Sequence, residues 1–385
     1  MKIAHVHMLF EEYGGGEVLA LQMYKAMREL GHDVELYTTY IDPQVEPFLP
    51  KDIKIGYIKG VRWPSKVTQG RFVRLRRLLN IKAVMGKVKE MLNDYDLVIE
   101  TQSNVPFMAN VSYIHFPALI DYNVQYHGKA IHWRLYNWAV ARLVESVQKY
   151  PRKAGLPHMV LTNSSWTANY ICMAYGRCDS KVLYPPVDYR FFHSYYSDRR
   201  ENIVVTVSRY SPEKHLEAIP RIAYQVPEAE FYLIGSVSRY SGPVIERIRA
   251  KAETYKAGNF HMVFNASREQ IAELLGKAKV YLHPPFPEHF GMAIAEAMSA
   301  GAVPVVFKDG GGWTDIVGPF DKSLGYQDLA EAVNIIKVLL WDSNELREKS
   351  KKASLYASRF SYEQFKVNLA DHLVHAHLLK KLSMG

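Results

Sequence analysis

The sequence predicts an α/β protein built on parallel sheets and divided into two domains. Three observations carry this expectation. Short apolar runs of strand character alternate with amphipathic helical segments along nearly the whole chain, an order that covers both faces of a parallel sheet with helices. At 385 residues the chain is too long for one ordinary core. A polar, Pro-led segment at 185–200, PPVDYRFFHSYYSDRR, separates two similar series and reads as a linker.

In the first series the strand candidates are IAHVHML, DVELYTTY, YDLVIETQ, VSYIHF and HMVLTNS. The helix EVLALQMYKAMREL places Val18, Leu19, Met23, Met27 and Leu30 on one face and stops at Gly31, a usual C-terminal signal. From Asn202 a second series follows: NIVVTVSRY, EFYLIGSV, HMVFN, AKVYLHPP and AVPVVF, with helices between. The last stretch, SYEQFKVNLADHLVHAHLLKK, is helical, with Phe365, Leu369, Leu373 and Leu378 roughly on one face. The expected domains are therefore 1–188 and 201–358.

Apolar residues make up 48% and charged residues 23%, the balance of a folded soluble protein. The two cysteines, Cys172 and Cys178, have no His or Cys at metal-ligand spacing, so neither a disulfide framework nor a structural zinc is expected, and a reducing compartment fits. MKIAHVHMLF reads as a strand rather than a signal peptide, and no run of about 18 apolar residues appears, which predicts a cytoplasmic protein. The formal charge is +9, and residues 53–89 hold eleven Lys or Arg and no acid. Within that region Phe72, Leu75, Leu78 and Leu79 recur at helical spacing, with Arg71, Arg74 and Arg77 on another face. Such a stretch suits peripheral attachment to an anionic membrane, and equally a plain solvated face. Nucleic acid is not expected as a partner, since no nucleic-acid module appears.

Chemistry concentrates in PPFPEHFGMAIAEAMSAGAVPVV. Glu288 lies in a Pro-rich loop, and Glu296 lies inside the apolar helix opened by Gly291. The first N–H groups of that helix, near Phe290, Gly291 and Met292, are free to bind an anion. One acid then stands near the far end of a bound diphosphate and the other near its ribose. Taken alone, the two acids are as readily a cap and a solvated side chain. Near the start of the chain, Gly14-Gly15-Gly16 between the first strand and helix lets backbone approach a ligand. A dinucleotide turn fits poorly there: G-x-G-x-x-G is absent, and DVELYTTY ends without an acid. SRYSPEKH offers Arg209 and Lys214 to a diphosphate. His115 ends an apolar strand, and on its own is more often a core histidine. His5 and His7 alternate along the first strand and receive no role.

Taken together, Glu288 to Glu296, Arg209 with Lys214, the Gly15-Gly16 pair, YIHFP, NSSWTANYI, VLYPPVD and SRFSYEQF resemble the retaining GT-B glycosyltransferases of family 4. Within that family they look most like the eukaryotic mannosyltransferases that use GDP-mannose to extend dolichol-linked oligosaccharide. The resemblance implies two Rossmann-like domains, an acceptor domain first and a nucleotide-sugar domain second, with the last helix, 361–385, crossing back to the first. It implies a nucleotide-sugar donor in the cleft, no cofactor, and a glycan or polyprenyl-linked acceptor. Glu288, His115, Arg209 and Lys214 would be catalytic. Gly15, Gly16, Phe264, Phe290, Gly291, Met292 and Glu296 would join Arg209, Lys214 and Glu288 around the donor, with Glu296 on the ribose and Phe264 and Asn265 walling the base. Asn163 and Gly311 would border the sugar or acceptor. No metal is expected. UDP-sugar transfer and a non-catalytic nucleotide-sugar-binding protein stay open as alternatives.

Overall fold

The computed structural model describes residues 1–11, 14–60, 73–106, 109–118, 131–154, 158–238 and 241–384. The chain packs as two units, one of residues 1–163, 167–184 and 365–385, the other of residues 164–166 and 185–364.

The first unit holds a parallel sheet in the order β5-β3-β1-β6-β7-β8-β9. Its strands are β1 (Lys2–Val6), β3 (Asp33–Thr38), β5 (Ile55–Tyr57), β6 (Leu97–Glu100), β7 (Val111–Ile114), β8 (Met159–Thr162) and β9 (Lys181–Val182). A small pair, β2 (Leu9–Phe10) and β4 (Tyr40–Ile41), sits beside it in sequence. β6, β7 and β8 are buried at every position, as strands covered on both faces must be. The helices are α1 (Gly15–Glu29), α2 (Val73–Asp94), α3 (Ile131–Ala154) and α4 (Ser165–Tyr175).

The second unit has α5 (Tyr189–His193), β10 (Glu201–Val207), α6 (Ile219–Gln225), β11 (Glu230–Gly235), α7 (Gly242–Tyr255), β12 (Phe260–Phe264), α8 (Arg268–Lys277) and β13 (Ala278–Leu282). It continues with α9 (Met292–Ser299), β14 (Val303–Phe307), β15 (Gly325–Tyr326), α10 (Leu329–Trp341) and α11 (Ser343–Ala357). Its sheet runs β12-β11-β10-β13-β14-β15, all parallel. In both sheets the strand order reverses beside the first strand, between β1 and β6 and between β10 and β13. Crevices outside the C-terminal ends of strands at such points are where α/β sheets bind ligands. The last helix, α12 (Tyr362–Met384), belongs to the first unit from Phe365 onward, where Lys380 Nζ donates to the carbonyls of Leu92 and Tyr95 at 2.8 and 2.6 Å.

Three expectations change here. Cys172 and Cys178 are joined by a disulfide, with their Cα atoms 4.4 Å apart. Gly176 ends α4 at φ +67° and folds the chain back, bringing Cys178 to the helix's last turn. This is one local cross-link rather than a framework, but it removes the cysteine argument for a reducing compartment. The apolar side of α2 is also not available to a membrane: Leu78, Ile81, Val84, Met85 and Val88 lie in the core of the first unit. Of the basic region, residues 61–72 lie outside the described residues, and no described helix is long and apolar enough to cross a membrane. Finally, 185–200 is built into the second unit, where Val187 bridges Ser361 and His193 Nδ1 meets Ser354 Oγ at 2.9 Å.

Candidate active site

In the second unit the chemistry gathers at the C-terminal ends of β10 and β13. Lys214, buried in a short turn after β10, places Nζ 2.6 Å from Glu288 Oε2 and 4.4 Å from the Phe286 ring centre. His283, one residue past β13, brings Nε2 to 3.8 Å from the same oxygen. Burial pushes the Glu288 carboxyl up, but His283 and Lys214 outweigh it and hold the group well below the usual carboxylate range. Glu288 is therefore a fixed negative charge beside a buried cation.

Behind Glu288, Gly291 takes φ +101° and starts α9, whose Ile294 and Ala295 N–H groups return to the Gly291 carbonyl at 3.0 and 3.3 Å. The first-turn N–H groups of Met292 and Ala293 have no acceptor within the helix and suit an anion. Phe290 is buried and stacks edge-on to Phe360, so it anchors the loop. Glu296, half-buried on α9, has its carboxyl raised to about 7 by burial, with Arg268 opposing and Asp188 adding to the rise. Arg209 stands exposed after β10, with no ion-pair partner among the described residues. Phe264 ends β12, partly exposed and 5.2 Å from the Tyr210 ring; Asn265 Oδ1 beside it accepts from Val237 N–H at 2.9 Å.

The Gly310-Gly311 pair lies directly against Glu288. Gly310 bridges Glu288, and Gly311 N–H donates to the Glu288 carbonyl at 2.6 Å. A Cβ on Gly310, at φ +85°, would stand 2.5 Å from the Glu288 carbonyl oxygen and 2.6 Å from its nitrogen. Gly310→Ala is thus expected to cost about 1–3 kcal/mol, from left-handed strain and crowding. Urea unfolding would show it, and turnover should fall as Glu288 is displaced.

In the first unit a second group forms at the C-terminal ends of β1, β6 and β7. Gly14 caps α1, its N–H donating to Glu17 Oε2 at 3.2 Å, and Glu11 pairs with buried Arg76. Gly15 opens α1, and Gly16 stands against His115: a Cβ there would lie 3.8 Å from Nε2. Asn163 Nδ2 donates to the His115 carbonyl at 3.0 Å. His5 and His7 are buried and share Thr101 Oγ1 at 3.2 and 3.0 Å; burial lowers His5 to about 3.

With this geometry in place, two family models match in tandem: "Glycosyltransferase Family 4" over residues 13–191 and "Glycosyl transferases group 1" over residues 190–357. The chain belongs to the GT-B glycosyltransferases. Among solved structures, Anabaena HepE in complex with UDP and glucose superposes with TM-score 0.71 at 18% identity, over 97% of this chain and 100% of that one. WaaG, a glycosyltransferase involved in lipopolysaccharide biosynthesis, gives 0.67 at 15% identity, over 96% and 98%. Among curated proteins, the GDP-Man:Man(3)GlcNAc(2)-PP-Dol alpha-1,2-mannosyltransferase of Dictyostelium discoideum is 27% identical over 54% of this chain and 45% of that protein. The Candida glabrata protein of the same name is 24% identical over 80% and 69%. The chain thus spans about half the length of several of these relatives.

Within this glycosyltransferase the two units each assemble part of the expected site. Lys214, Glu288, Phe290, Gly291, Met292 and Gly311 converge in the second unit, and Gly16, His115 and Asn163 in the first. Sequence reasoning missed His283. The signal was present, because His283 repeats the setting of His115, a histidine at the C-terminal end of a buried strand just ahead of proline. Among the described residues no group of three or more His, Cys, Asp or Glu is placed to hold a metal ion.

Proposed function

We propose that this chain transfers mannose from GDP-mannose to a lipid-linked glycan, with retention of configuration. The observation that carries the reading is the Lys214–Glu288–His283 cluster set beside the N-terminus of α9. The names of the curated relatives supply the donor and acceptor. Arg209, Lys214 and the α9 N–H groups stabilise charge as the bond between C1 of the sugar and the phosphate oxygen breaks, an electrostatic role already organised before reaction. The acceptor hydroxyl oxygen bonds to C1 on the same face, and its proton passes to the departing phosphate. Glu288 favours positive charge at C1, and Glu296 accepts from the ribose hydroxyls. Attachment of the basic region to an anionic, cytoplasmic membrane face through its charges alone, the apolar side of α2 being in the core, belongs to the same proposal.

Thermal shift with GDP, UDP, ADP and their sugar conjugates tests it. GDP and GDP-mannose should raise the melting temperature of the wild type and not of Glu296→Ala, since a ligand of the native state stabilises by its concentration over affinity. A response to UDP conjugates alone would discard the mannosyl donor, and no response would discard the donor site.

The state of Glu296 gives a pH dependence. With its carboxyl near 7, it is mostly protonated at pH 6 and mostly ionised at pH 8. GDP-mannose has no ionisation of its own in that range, so its affinity should rise roughly five- to ten-fold from pH 6 to 8. Glu296→Gln should flatten the profile in a titration by calorimetry. In the free protein the same group works the other way. The unfolded carboxyl loses its proton near 4.5, so its contribution to stability falls as pH climbs toward 7.

A further inference from the structure

His115 is held at three points. Its ring Nε2 lies 3.0 Å from the Thr101 carbonyl, its N–H donates to Asn104 Oδ1 at 2.7 Å, and its carbonyl accepts from Asn163 Nδ2 at 3.0 Å. A carbonyl only accepts, so Nε2 carries a proton and donates it to Thr101. The ring also lies against the first turn of α1 at Gly16.

Two of those three contacts come from one turn, residues 100–104. Its shape is set by Glu100, a buried carboxyl that accepts from Gln102 N–H at 2.8 Å, Ser103 N–H at 2.6 Å and Ser103 Oγ at 2.5 Å. Asn104 closes the turn at φ +58°. Glycine is the default residue for that conformation, and asparagine adopts it at some cost. What asparagine adds is an acceptor, and that acceptor serves the N–H groups of His115 and, at 3.4 Å, Phe116. Its own carbonyl is fixed in turn by Ala118 N–H at 3.1 Å and Tyr175 Oη at 2.9 Å.

We propose that Asn104 is a positioning residue for sugar transfer, holding His115 with its Nε2 proton on the Thr101 carbonyl. This rests on the reading of His115 as a site residue. Asn104 does not touch substrate. It fixes a left-handed turn that presents the Thr101 carbonyl to the ring and its own amide oxygen to the backbone.

The test compares Asn104→Gly, Asn104→Asp, His115→Ala and the Asn104→Gly/His115→Ala double variant. Asn104→Gly keeps the backbone conformation and removes the acceptor, while Asn104→Asp keeps the acceptor. Long-range proton–nitrogen NMR reads the His115 tautomer in the free protein, and GDP release from GDP-mannose gives kcat and KM. Asn104→Gly should mix the two ring tautomers and lower kcat about ten-fold or more with KM within about two-fold. Asn104→Asp should stay within about three-fold of wild type, and Asn104→Gly should cost nothing further once His115 is alanine. An unchanged kcat in Asn104→Gly, or an equal loss in the His115→Ala background, overturns the proposal. If His115→Ala itself turns over normally, the premise about His115 fails, and the intact tautomer effect separates that failure from the first. If Asn104→Gly does not fold, Tyr175→Phe removes only the hydroxyl on the Asn104 carbonyl. It should lower kcat about two- to five-fold at constant KM, and no change overturns the proposal.

Discussion

Glu288→Gln is expected to lower turnover by about 10³ while leaving GDP bound as tightly as before, or more tightly. The two halves of this result have one cause. In the free enzyme Lys214 Nζ is already committed to Glu288 Oε2 at 2.6 Å. Replacing the carboxylate with an amide removes the negative charge that would favour a developing positive charge at C1. It also releases the ammonium to a diphosphate. Lys214→Met should behave differently: GDP affinity falls, and Glu288 loses one of the two groups that keep it ionised against burial. Turnover then falls with affinity. Because Lys214 is buried, Glu288→Gln leaves a cation without its partner, and a fall in stability of about 1–3 kcal/mol should accompany the loss. Initial rates of GDP release from GDP-mannose, with GDP titrations on both variants, check this. A Glu288→Gln enzyme with more than a tenth of wild-type turnover would remove Glu288 from the chemistry.

The parts of this arrangement written in local pattern could be read from the chain. All five long strands of each half, the start of α9 at Gly291 and the glycine approach after β14 each follow from periodicity or backbone allowance within a few residues. The strands that escaped, β2, β4, β5, β9 and β15, are two or three residues long and lie at sheet edges or in the small pair, too short for any alternation to register. Side-chain partnership escaped for a different reason. Lys214 and Glu288 are 74 positions apart, and nothing in either segment says that a lysine from one turn will neutralise an acid from another. Asn104 is hidden more deeply, because its role depends on a positive φ that asparagine shares with ordinary turns. The disulfide was misjudged because compartment statistics describe cysteine use across proteins, while six residues folded back by Gly176 decide this pair.

Arg200 closes the segment read as a linker, and Arg200→Met is expected to destabilise the second unit by about 3–5 kcal/mol. The guanidinium is a hub. Nη1 donates to the carbonyls of Leu275, Gly276 and Ala278 at 3.4, 3.2 and 2.8 Å, Nη2 to that of Ala300 at 2.8 Å, and Nε to Ser350 Oγ at 3.0 Å. Leu275 and Gly276 lie in the last turn of α8 and Ala300 follows α9, so one cation serves the negative ends of both helices. Burial lowers its pKa to about 10, which still leaves it charged at neutral pH. Gly301 is required beside it: at φ +86°, a Cβ would meet Nη2 at 2.1 Å. Methionine fills the volume but orphans four carbonyls, whereas lysine, with three donors on one nitrogen, should recover about half the loss. At an m-value of roughly 2 kcal/mol per molar, the urea midpoint of the second unit should fall by roughly 1.5–2.5 M in Arg200→Met. A shift below roughly 0.3 M would mean that water replaces the guanidinium at these carbonyls. The same hub bears on the proposed donor site, because α9 carries Glu296 and the N-terminal N–H groups assigned to the donor in that proposal. Arg200→Lys, the milder change, should therefore weaken GDP-mannose binding even where the fold survives, and Ser350→Ala, which removes a single contact, should weaken it less.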